Sequence, residues 1–132
     1  MDALGSLRAK IPAFPGYANA DERRLADEEV RAYLGEALAG LGDRVGAGPL
    51  NDRYEAVLLR AEFMNQRAFQ IFEAADLDEA QVAAMANADL AAVDLADRAG
   101  SLKDGDLTSY LDEVMVALEA RDRAMEVPTS LC

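Results

Sequence analysis

The sequence predicts an all-α protein: an antiparallel up-down-up-down four-helix bundle with an extended N-terminal arm. Three observations predict it. Apolar residues recur at three-and-four spacing over four stretches, Gly and Pro punctuate the chain between them, and no run alternates apolar and polar residues as a half-buried strand would. At 132 residues and 14.2 kDa the chain holds one core and not two. This divides it into an arm over residues 1–18, docking on the bundle, and a single domain over residues 19–132.

In the arm, Pro12, Pro15 and Gly16 oppose a continuous helix, whereas Ile11, Phe14 and Tyr17 supply apolar weight, so the segment is expected to be extended and docked. The first helix is expected over about 20–42. Asn19 with Glu22 opens it as a capping pair, and Val30, Tyr33, Leu34, Ala37, Leu38 and Leu41 form its stripe. It stops in a loop rich in Gly42, Gly46, Gly48 and Pro49. The second helix, about 52–75, opens with Asp52 and Glu55, and Pro49 is an alternative first position. Tyr54, Val57, Leu58, Ala61, Met64, Ala68, Phe72 and Ala75 share one face of it, while Leu59 and Phe63 point nearly the opposite way.

The third helix, about 79–99, is capped by Asp78 with Gln81 closing a capping box, and Leu77 is placed to staple onto Val82. So short a link makes the second and third helices antiparallel neighbours. After the turn "SLKDGD", Asp106 or Thr108 caps a fourth helix over about 107–127, with Leu107, Leu111, Val114, Leu118 and Met125 as its core stripe and Pro128 beyond its end.

The net charge is −12, and it is uneven. Residues 1–44 carry eight acids and six bases, residues 45–75 four and three, and residues 76–132 thirteen and four. Such a surface repels nucleic-acid phosphate and anionic membranes and admits a basic protein partner. The first ten residues lack a basic start followed by an apolar stretch, and the longest uncharged run, residues 11–20, contains two prolines. No secretory signal or membrane span is expected, which leaves the cytoplasm as the default location. The sole cysteine, Cys132, excludes an intramolecular disulfide.

Histidine is absent, which removes Ser-His-Asp and Cys-His catalysis and the Glu-x-x-His motif of di-iron bundles. "DGDLTSYLDEV" places Asp104 and Asp106 like the start of a calcium loop, but position six is Ser109 and position twelve is Met115. Gly46 and Gly48 complete no phosphate-loop fingerprint. The chain therefore calls for no cofactor, no metal ion and no catalytic residue.

Three polar residues interrupt the apolar stripes: Asn65 on the second helix, Asp89 on the third and Arg121 on the fourth. An ionised carboxylate in a core needs a partner, and Arg121 is the obvious one. Antiparallel register about residue 103 sets position 89 opposite 117, one turn from Arg121, and register about residue 77 sets Asn65 opposite Asp89. The three are expected in one layer, either fixing helix register or holding a small anionic ligand. Leu59 with Phe63 forms an outward apolar patch, to be covered by Ile11, Phe14 and Tyr17 of the arm or by a second chain. Asp112, Glu119, Asp122 and Glu126 also form an acidic stripe that could imitate nucleic-acid phosphates. The leading expectation is a non-enzymatic, acidic interaction or scaffold bundle, self-associating as a homodimer or bound to a basic protein. A ligand-binding protein or enzyme using the polar layer, and an acidic nucleic-acid mimic, are the alternatives.

Overall fold

The computed structural model describes residues 2–62 and 77–125, and within these the chain is all-helical, with no strand. Six α-helices follow in order: α1 (Ala3–Lys10), α2 (Ala20–Ala39), the short α3 (Gly42–Val45), α4 (Pro49–Glu62), α5 (Glu79–Arg98) and α6 (Leu107–Ala124). Two 3₁₀ turns, Ala99–Ser101 and Asp104–Asp106, join α5 to α6.

The first eighteen residues depart from an extended arm. The prolines lie beyond Lys10, so nothing in residues 3–10 opposes a helix, and Asp2 caps it by accepting a hydrogen bond from the Gly5 amide at 2.8 Å. Arg8 and Lys10 occupy its last turn, where cations favour a helix end. After Ile11 the chain turns, and Gly16 adopts φ +113°, a conformation side chains disfavour. Arg8 stitches this turn together by donating to the carbonyls of Phe14 (3.4 Å) and Pro15 (2.7 Å).

Helix ends follow local chemistry elsewhere too. The Asn19 side chain accepts from the Glu22 amide at 2.9 Å and opens α2, and Asp78 does the same for the Gln81 amide at 2.7 Å to open α5. The helix expected from residue 52 begins at Pro49, where a residue without an N–H costs no hydrogen bond. Its stretch beyond residue 62 lies outside the described residues, as does the fourth helix beyond Met125. Asp106 makes no side-chain cap for α6; its carboxylate accepts from the Lys103 amide at 3.4 Å instead.

Polar contacts give the helix directions. α2 and α4 are antiparallel, since the Tyr54 hydroxyl donates to the Leu38 carbonyl at 2.7 Å and Arg31 donates to the Glu62 carbonyl at 2.8 Å. α5 and α6 are antiparallel as well: Arg98 donates to Glu113 at 2.9 Å near one end, and Gln81 donates to the Ala124 carbonyl at 2.8 Å near the other. α4 and α6 run parallel, with Arg53 bonded to Asp112 and Arg60 to Asp122. At one end Arg44 clasps the Leu102 carbonyl (2.6 Å) and Asp104 (2.9 Å), joining the α3 region to the α5–α6 connection. α5 is central, packing on α1, α2 and α6. Its Ala86, Ala92 and Ala96 are buried and let those neighbours approach closely.

The core joins Leu7 of α1, Ile11, Phe14 and Tyr17 of the following segment, Val30, Leu34 and Leu38 of α2, Val57 of α4, Val93 of α5, and Leu111, Val114 and Leu118 of α6. Ile11, Phe14 and Tyr17 are thus core residues and not an exposed interface. Nor is Leu59 covered, for on α4 it remains 58% exposed. Phe63 lies outside the described residues. No described helix is long and apolar enough to cross a membrane.

Candidate functional site

Four charged side chains are buried in the described core: Arg23 and Asp27 from α2, Asp89 from α5 and Arg121 from α6. The α2 stripe brings Asp27 inward, for it lies seven residues before Leu34 and eleven before Leu38, within about 20° of both around the helix. Asp89 and Arg121 interrupt the stripes of α5 and α6 in the same way. They meet at one level because α5 and α6 are antiparallel, and between the Arg98–Glu113 and Gln81–Ala124 contacts the long Arg121 side chain reaches Asp89.

Arg121 stands between two carboxylates. Its Nε donates to Asp89 Oδ1 at 2.6 Å and its Nη2 donates to Asp27 Oδ1 at 2.5 Å. The Tyr17 hydroxyl donates to the other Asp89 oxygen, Oδ2, at 2.5 Å. Arg23 Nε donates to the Tyr17 carbonyl at 3.0 Å and so fixes the segment that carries the tyrosine. Arg31 Nε lies 2.8 Å from Asp27 Oδ2 as an ion pair, although neither atom completes a hydrogen bond. One residue from the N-terminal segment, three from α2 and one each from α5 and α6 therefore share a continuous network.

Its electrostatics follow from burial. Desolvation pushes the Asp89 carboxyl above its usual range, against the opposing pull of the Arg121 charge and of the hydrogen bonds from Tyr17 and Arg121. Burial also disfavours the Arg121 cation, but Asp89 and Asp27 outweigh it and hold the guanidinium more firmly protonated than usual. Burial first, and then the Asp89 charge, push the Tyr17 hydroxyl upward, so it stays a proton donor.

Of the three residues expected to form the layer, Asp89 and Arg121 are in contact, and Asn65 lies outside the described residues. Asp27 and Tyr17 were not among the expected members. The periodicity of α2 is the signal for Asp27, whereas nothing local marks the tyrosine hydroxyl. Both Asp89 oxygens are engaged, and the Arg121 side chain is only 5% exposed, so it offers no open fork to an anion. A cavity of about 340 Å³ lies beside Tyr17 and Arg23, but the charged group it borrows from α1, Arg8, is turned onto carbonyls of its own chain.

Other candidates disperse. Asp104 pairs with Arg44, and among the described residues no cluster of three or more carboxylate or thiol groups is arranged to hold a metal ion. Two members of the acidic stripe on α6, Asp112 and Asp122, pair with Arg53 and Arg60 of α4, and Glu126 lies outside the described residues.

Fold and network define an all-α protein with a closed, buried cluster of charges. Compared with protein-family models, curated proteins and solved structures, the chain matches none.

Proposed function

We propose that this chain is a non-enzymatic protein–protein interaction module. In this reading α2, α4, α5 and α6 form an up-down-up-down four-helix bundle, α1 and its following turn brace α5, and the acidic exterior binds a basic partner. One observation carries it: the buried charges Arg23, Asp27, Asp89 and Arg121 cancel one another inside the core, while the chain as a whole carries a net charge of −12. Chemistry on a substrate needs a group that substrate can reach, and Asp89 and Arg121 are both buried. The network instead supports a structural role, holding three helices and the N-terminal segment in one register.

The test is size-exclusion chromatography of the chain from the cells that make it. An assembly larger than 14.2 kDa that dissociates at about 0.5 M salt is expected, because an electrostatically complementary contact is screened there. Elution at monomer size at every salt concentration, with a small metabolite bound, would overturn the reading.

A further inference from the structure

We propose that the groove between α5 and α6 docks a cationic amphipathic helix from a partner protein, an inference that rests on the interaction-module reading. The groove measures about 510 Å³, and Ala91, Leu95, Val116, Ala117 and Ala120 supply its apolar surface. Three of these are alanines, whose side chains end at Cβ and let a third backbone come close. Val116 at its mouth is 61% exposed, more than any other large apolar residue among those described. A β-branched residue in mid-helix has no local advantage over Ala, Glu or Arg, so an exposed one gains from being covered. The α5 wall from Ala91 to Arg98 runs about 11 Å at 1.5 Å per residue, which suits two turns of an incoming helix.

Charge selects the occupant. Asp94, Asp112 and Glu113 line the groove together with Arg98, while Lys10 and Arg53 reach Asp94 and Asp112 from outside it. Each of the three acids is more than half exposed, at 56%, 56% and 52%. Their present partners Lys10, Arg53 and Arg98 form solvent-screened surface pairs, which are weak, so these carboxylates can accept further cations at little cost. A second copy of the chain would bring the same acids face to face in a two-fold contact and be repelled. A helix with leucines on one side and lysines or arginines flanking them satisfies both the apolar floor and the rim.

Fluorescence anisotropy tests this, with the intact protein and a labelled synthetic helix of about 14 residues bearing Leu on one face and Lys on the other, a length that exceeds the groove at 1.5 Å per residue. Val116→Glu and Leu59→Glu each add one negative charge at an exposed position on different faces. General attraction between a cationic peptide and an acidic protein strengthens in both variants. Docking in the groove predicts that Val116→Glu weakens binding by at least about tenfold, because a carboxylate is forced into apolar contact, while Leu59→Glu does not weaken it. Equal or tighter binding to Val116→Glu, or no binding to the unmodified chain, overturns the groove assignment. Either result leaves the interaction-module reading to its own test, the salt-sensitive assembly.

Discussion

At the residue scale, Tyr17 and Asp89 show how a buried charge is made tolerable. The Tyr17 hydroxyl occupies the carboxylate oxygen that Arg121 does not reach, and removing it leaves a buried acceptor short of a donor. Tyr17→Phe is expected to lower unfolding free energy by about 1.5–3 kcal/mol, the range for a hydrogen bond to a charged group, as measured by urea denaturation. Asp89 carries a second prediction, in its titration. Its value in the folded chain lies above the ordinary 3.8, so as pH falls the folded state takes up this proton before the unfolded state does. Its contribution to stability is fully present below about 3.8 and is lost as pH rises through the folded value. A carboxyl-carbon NMR titration should place the Asp89 midpoint above 3.8, and a midpoint below it would show that pairing outweighs desolvation. Asp89 and Arg121 are legible in the sequence because each interrupts an otherwise apolar stripe. Asp27 obeys the same rule but sits in "ADERRLADEEV", where charges surround it and mask the inward face. Tyr17 is illegible as a donor because its partner lies 72 positions away and is met only through tertiary packing.

At the element scale, what the sequence reveals depends on whether an end is set locally. Asn19 and Asp78 open α2 and α5 through bonds to amides three residues on, and such caps can be read directly. α1 is harder to read. It has eight residues, too few to persist alone, and only Leu7 is buried within it, so its stability comes from packing on α5. Pro12 and Pro15 mark where a helix must stop, and they say nothing about the residues before them. The turn after α1 yields its own prediction. At Gly16, φ is +113°, and an added Cβ would lie 3.1 Å from Arg8 Nη2 and 3.3 Å from Glu22 Oε1. Gly16→Ala should therefore destabilise the fold by about 1–2 kcal/mol in thermal unfolding, whereas Gly35→Ala, with open space around its Cβ, should stabilise α2 by up to about 1 kcal/mol.

At the scale of the whole molecule, charge is partitioned between an interior that consumes its own ions and an exterior that displays a surplus of acids. The interior network spans α2, α5, α6 and the N-terminal segment, and a shift of any one helix along its axis would separate Arg121 from a carboxylate. Apolar residues of similar volume can pack as well as such ions and sometimes better, so in the proposed structural role the network contributes alignment of the helices and not net stability. In the proposed role Arg121 is a structural cation and not a ligand-binding one, and urea unfolding of Arg121→Met distinguishes the two. The loss of the guanidinium leaves Asp27 and Asp89 buried without their shared partner, and a cooperative transition with stability lowered by about 3–5 kcal/mol is expected. Stability within about 0.5 kcal/mol of the unmodified chain, the range of an ordinary surface substitution, would contradict it.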